Sequence, residues 1–225
     1  MAYRRTERVV RRLAARHDSI LAAARSAAAE GGMAAVQIAP VAERAGIAAG
    51  TVYRYFPSKT DLVNDLVEQA GAREVEAMRQ AAHAAPGPLS AIAAAVATFG
   101  HRALENRRLA WALIAETADV ETAAVRAGFR RALADELDRL IRAAAAAGLL
   151  PAEQNPSVAV PALVGALLEG LIGPLAPEID ASPARRREAV QSLTLLVLRA
   201  LGVADARARG LVVQTALPAV SEGAA

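Results

Sequence analysis

The side chains in this sequence best suited to gripping a polyanion stand close together, with Thr51, Tyr53, Arg54, Tyr55 and Lys59 inside nine residues. Hydroxyl and phenolic O–H groups, a guanidinium fork and an ammonium are the donors that match phosphate oxygens. Gln37 lies ahead of them as a helix-terminal amide, while Ala48, Ala49 and Gly50 bring only methyl groups or bare backbone. Alanine methyls suit contact with thymine methyls, and Thr51 suits a base edge or a phosphate. The chemistry indicated is recognition of double-stranded DNA, carried mostly by contacts to its backbone.

Catalytic chemistry finds little support. His17, His83 and His101 are scattered, and neither an H-E-x-x-H pair nor a Gly-x-Ser-x-Gly elbow occurs. Gly46 to Thr51 resembles the end of a nucleotide phosphate loop but lacks its lysine. Cysteine is absent, so disulfides and thiolate metal sites are excluded. The expectation is a protein that is not an enzyme, with no catalytic residues, metal or cofactor.

The elements that must position the donors can be read from spacing. Ile38, Val41, Ala42 and Ala45 recur at intervals of three and four and form one apolar stripe, leaving Glu43 and Arg44 outward. Gly46 then suits a left-handed turn. Val52 and Phe56, four residues apart, pack inward beyond that turn, which leaves Gly50, Thr51, Tyr53, Arg54 and Tyr55 for a partner. Pro57 ends the second helix, and Ser58 with Asp61 forms a capping-box-like start for the next, with Lys59 in its first turn. This is a helix-turn-helix over about residues 37–56.

The run from Ala45 to Leu62, A-G-I-A-A-G-T-V-Y-R-Y-F-P-S-K-T-D-L, follows the helix I-L-A-A-A-R-S-A-A-A-E-G-G from Ile20. Together they resemble the DNA-binding domain of the TetR family of transcriptional repressors, over residues 16–70. The resemblance implies that Tyr53 and Tyr55 touch the sugar-phosphate backbone and that Phe56 belongs to the core. Two departures matter. Ala48 stands where relatives commonly carry a Ser that caps the recognition helix, and a missing cap costs about 1 kcal/mol. Ala39 and Ala49 stand where several relatives carry Arg or Gln that reads base edges. Sequence preference is then expected from few contacts or from DNA shape.

Residues 1–15 read as a basic arm. Arg4, Arg5, Arg8, Arg11, Arg12 and Arg16 are opposed only by Glu7, and Arg11, Arg12 and Arg16 are expected on DNA, with minor-groove insertion as the mode. Residues 1–60 hold ten Lys and Arg against four Asp and Glu, and residues 61–225 hold sixteen against nineteen. The net +3 therefore hides a basic head on a slightly acidic body. Lys59 is the only lysine. The N-terminal arginines precede no apolar segment, so no signal peptide is read and a cytoplasmic location is expected.

The remainder is Ala-rich and punctuated by Pro and Gly, which predicts an all-α protein of about nine helices. After the three-helix head, helices are expected over Ser58 to Ala84, Leu89 to Glu105, Arg107 to Ala118, Glu121 to Ala147, Pro156 to Leu175 and Pro183 to Gly202. Residues 71–205 are expected to form an effector-binding and dimerisation domain, and 206–225 a disordered C-terminal tail. The eighth helix is apolar, but Pro161, Glu169 and Pro174 interrupt it too often for a membrane span. The resemblance implies a homodimer through the eighth and ninth helices, for which Val164, Leu168, Leu171, Leu193, Leu196 and Val197 are the apolar candidates. It also implies an effector pocket, for which composition nominates Phe99, His101, Arg102, Trp111, Leu113, Ile114, Glu116 and Phe129. An aliphatic lining favours a small hydrophobic or acyl-type effector. The function expected is a ligand-responsive regulator, a repressor, binding a palindromic operator as a homodimer. An architectural DNA binder without effector control and an all-helical enzyme are the alternatives.

Overall fold

Helix signals in the sequence translate into helices almost one for one. The computed structural model describes residues 2–116, 120–153, 155–178 and 182–215, with side chains from residue 7 onward apart from those of residues 120 and 121. These residues form ten α-helices and a 3₁₀ turn, with no strand among them. The chain divides into two compact units, Met1–Ala70 with Arg108–Ala127, and Gly71–Arg107 with Gly128–Ala225.

The first unit holds α1 (Ala2–Gly31), the 3₁₀ turn (Met33–Ala35), α2 (Ile38–Arg44), α3 (Ala49–Tyr53) and the start of α4 (Lys59–Ala84). It also takes most of α6 (Arg107–Ile114) and the opening of α7 (Val120–Ala146). Ile20, Val36, Val41, Val52, Phe56 and Leu62 are each at most 1% exposed and make its core. Gly46 takes φ +65, the conformation its place after α2 demands. Ser58 closes a full capping box with Asp61: its Oγ accepts from Asp61 N–H at 3.1 Å, and Asp61 Oδ2 accepts from Ser58 N–H at 2.9 Å.

In the second unit α5 (Pro88–Glu105) is the most buried helix and packs against α8 (Pro156–Leu171), α9 (Pro183–Ala200) and α10 (Asp205–Gln214). Gly100 permits this closeness, since a Cβ there would lie 3.3 Å from Val190 Cγ2. Asn155 caps α8 by accepting from Ser157 N–H at 3.1 Å, and Pro156 occupies its first position. Gly148 and Gly202, with φ of +68 and +81, stand just past the ends of α7 and α9.

Three expectations change. The sixth helix ends at Ile114 rather than running to Ala118, and residues 117–118 lie outside the described residues. The eighth stops at Leu171 rather than Leu175, because Gly173 and Pro174 follow and Glu169 turns back to accept from Leu175 N–H at 2.9 Å. The stretch assigned to a C-terminal tail is helical as α10 from Asp205 to Gln214, with Ala208 and Val212 buried, while residues 216–225 lie outside the described residues. No described helix is long and apolar enough to cross a membrane.

Candidate nucleic-acid interface

The local sequence seats α3 by its inward residues and leaves the rest of its surface open. Val52 is fully buried and Phe56 nearly so, and Phe56 N–H donates to Val52 O at 2.9 Å, which closes the chain against the core. Gly50 and Arg54 are exposed, Tyr53 is 52% exposed, and Ala49, Thr51 and Tyr55 are half-buried. Ala48 is the N-cap of α3 and provides no side-chain bond to it; the helix is held by main-chain contacts such as Thr51 N–H to Ala48 O at 2.8 Å. Gln37 is the N-cap of α2, exposed, with its Nε2 donating to Ala34 O at 3.0 Å. Lys59 is exposed in the first turn of α4.

Two contacts fix this surface to its support. His17 Nε2 lies 3.2 Å from Asp65 Oδ2, joining α1 to α4, and the His17 and Phe56 ring centroids are 4.9 Å apart. Arg44 at the end of α2 donates to Ser26 Oγ at 2.7 Å and pairs with Glu30 of α1. Its hydrogen bonds hold the Glu30 carboxyl below the usual carboxylate range. The pair is exposed, so its effect on stability is small.

The basic arm is not an extended chain. It is the first half of α1, continuous with the helix that reaches Gly31. At about 100° per residue Arg8, Arg11, Arg12 and Arg16 fall on an arc of about 140°, flanked by the stripe that begins with Val9 and Leu13 and continues into buried Ile20. Arg11, Arg12 and Arg16 are exposed. An α-helix of about 10–12 Å diameter is wider than a minor groove of about 6 Å, so a minor-groove contact from this segment would fall to its arginine side chains alone.

The model of bacterial regulatory proteins of the tetR family matches residues 20–66, the span that carries this surface. These residues form a TetR-type DNA-binding head. The HTH-type transcriptional repressor KstR of Rhodococcus jostii (strain RHA1) is 46% identical over 72 residues, 32% of this chain and 32% of that protein. KstR of Mycolicibacterium smegmatis (strain ATCC 700084 / mc(2)155) is 54% identical over 48 residues, 21% of this chain and 24% of the relative. The chain thus spans about a third or less of the length of the curated relatives it matches. Beyond the head the likeness is one of fold: the fatty acid degradation regulator FadR from Bacillus halodurans superimposes with a TM-score of 0.70 at 22% identity, covering 81% of this chain and 94% of that one.

The residues nominated for a TetR-type effector pocket are placed in both units, and most have a structural task. In the second unit Phe99 is 1% exposed, and Arg102 forms a two-pronged pair with Glu74 at 2.6 and 2.9 Å. His101 Nε2 lies 3.4 Å from Glu105 Oε1 without hydrogen-bond geometry. Phe129 covers Gly71, where a Cβ would come within 2.6 Å of Phe129 Cδ2. That contact explains a glycine inside α4, which costs the helix about 1 kcal/mol relative to alanine. In the first unit Leu113 and Ile114 are buried, Trp111 is half-buried, and Glu116 accepts from Met33 N–H at 3.0 Å. A cleft of about 860 Å³ in the second unit is lined by residues such as Arg79, His83, Pro88, Arg139 and Leu140.

Burial also divides the residues nominated for TetR-type dimerisation. Val164, Leu168, Leu171 and Val197 are buried within the chain's own fold and have little area left for a partner. Leu193 is half-buried and Leu196 is 51% exposed. The resemblance and the apolar content of the two helices nominated all six, and neither can tell a core-facing leucine from its outward neighbour.

Proposed function

We propose that this chain is a transcriptional repressor that binds a palindromic operator as a homodimer, acts in the cytoplasm, and is released by a small hydrophobic effector. The observation that carries the reading is the exposed face of Gly50, Tyr53 and Arg54 set on the buried Val52 and Phe56. An amphipathic recognition helix of this kind enters the major groove, with backbone contacts fixing its register. Selection from random duplex DNA tests the reading: enrichment of a two-fold site with half-sites about 34–36 Å apart is expected. Failure to enrich any duplex would falsify it. Screening apolar and acyl compounds for release of the selected site then separates a repressor from an architectural binder, which no compound would release.

Within this reading the outward residues divide by role. Tyr53→Phe removes a phosphate donor and should weaken binding by a similar factor, about five- to tenfold, on every duplex tested. Thr51→Ala should change the ranking of duplexes instead. Competition binding on a panel of single-base variants checks both, and the reversed pattern would exchange the two roles.

The dimer in this proposal centres on Leu193 and Leu196 of α9, with the exposed Gly170 of α8 beside Leu193. Leu196→Arg places an unpaired charge in that contact and should weaken association about a hundredfold, as read by sedimentation. Operator affinity should fall with it, since two linked heads bind with an effective concentration that one head lacks. A variant that sediments as wild type would remove Leu196 from the interface.

Effector release follows as a two-state switch. An effector favours one state only through its differential affinity for the two. The α4 helix runs unbroken from the capping box of the head to Ala84, so it is the lever through which a tilt changes the separation of two heads.

A further inference from the structure

The amide that opens the turn ahead of α2 is held by a side chain from far along the sequence. Met33 N–H donates to Glu116 Oε2 at 3.0 Å, across 83 positions. Gly32 has φ +70, and a Cβ there would come 3.2 Å from the same carboxylate oxygen. Glycine therefore meets two needs at once, the left-handed backbone and the room for Glu116. From Met33 the path to the DNA-facing surface is short. Val36 N–H donates to Met33 O at 3.1 Å, Gln37 Nε2 bonds to Ala34 O, and Gln37 is the N-cap of α2. Displacing the Met33 amide displaces the start of α2, and with it the helix against which α3 packs.

Glu116 is itself anchored. Its N–H donates to Trp111 O at 2.9 Å. Arg126, 6% exposed in the opening of α7, donates to Leu113 O at 3.0 Å, to Ala112 O at 2.6 Å and to Glu116 O. Carbonyls at the end of a helix have no partner within it, and here one buried guanidinium serves two of them and the carbonyl of Glu116 just beyond. This explains both the early end of α6 and the fixed departure of the Glu116 side chain.

We propose that Glu116 is a positioning residue for the DNA-reading helices, holding the Gly32–Met33 turn by a charge-assisted hydrogen bond, with Arg126 as its anchor. The proposal rests on the reading of α2 and α3 as a DNA-binding surface. A bond from an amide to a charged acceptor is about twice as strong as a neutral one, so its loss should be measurable in the position of α2.

Full-length Glu116→Ala, Glu116→Gln and Glu116→Asp variants test it by amide hydrogen exchange and by affinity for a duplex selected with the wild type. Glu116→Ala is expected to speed exchange at Met33 and across Ile38–Arg44 by about tenfold, and to weaken duplex binding by a similar factor. Glu116→Gln keeps a carbonyl acceptor and should recover most of both. Glu116→Asp is too short to reach Met33 and should resemble alanine, so the Gln and Asp pair decides the matter if the alanine variant does not fold. Wild-type exchange at Met33 in the Ala or Asp variant overturns the latch. Faster exchange with unchanged affinity overturns the positioning role and leaves the DNA-binding reading standing. A wild type that binds no duplex removes that reading and this proposal with it.

Discussion

Phe56→Ala should abolish operator binding and melt the head. The ring is 1% exposed, lies 4.9 Å from the His17 ring, and closes the turn between α3 and α4. Truncating a buried phenylalanine to alanine costs about 3–5 kcal/mol, against a total stability of about 5–15 kcal/mol for a whole domain. The other core members of the head, Val52, Leu62 and Ile20, sit on three separate helices, so the gap opens where these helices meet. Hydrogen exchange should show protection lost over α2 and α3 and retained over α5 in the second unit. Affinity within about threefold of wild type, together with an unshifted melting curve, would mean that the aromatic is not what seats the recognition helix.

Local rules carried most of the helix boundaries. Gly46, Gly148 and Gly202 adopt the positive φ that places helix ends, and Asn155 and the Ser58–Asp61 pair cap the helices they precede. The exposed face of α3 was legible for the same reason: the inward spacing of Val52 and Phe56 decides which side chains remain outward. What could not be read is what depends on distant partners. The Glu116 to Met33 bond spans 83 positions, and no local pattern distinguishes that glutamate from a polar pocket residue. Arg126 likewise looks like any charge in an alanine-rich helix until two carbonyls of α6 and that of Glu116 beyond it converge on it. One sequence signal does point there in hindsight, the Gly31-Gly32 pair, because a left-handed glycine with no room for a Cβ implies a neighbour pressed against it.

Alanine at the base-facing positions shifts the burden of affinity. In the proposed complex Ala48 and Ala49 have no polar group for a base edge, which leaves Thr51 alone to read bases and Tyr53 and Arg54 to anchor α3 on phosphates. Such contacts are insensitive to sequence and sensitive to salt, and adding more of them raises affinity without sharpening choice. A helical arm lined by arginines supplies that kind of contact.

Deleting residues 2–12 should therefore weaken operator binding and flatten its salt dependence, without loss of fold. The deletion removes Arg4, Arg5, Arg8, Arg11 and Arg12, while every described side chain from residue 7 to Arg16 is exposed and the buried stripe of α1 begins at Ile20. If each arginine meets one phosphate, the slope of log affinity against log salt falls by about 4–5. Between about 50 and 200 mM salt the wild type would then lose on the order of 10²–10³ more affinity than the truncated chain. The arm's own helix should respond as well. Its first turn has no acidic residue, and positive charge at a helix N-terminus opposes the dipole, so phosphates laid along the arginine arc should raise its helicity. Circular dichroism with and without duplex reads that change. Equal affinity and equal slope for the two chains would place the arginines in solvent, and α3 with Lys59 would then carry the DNA contact unaided.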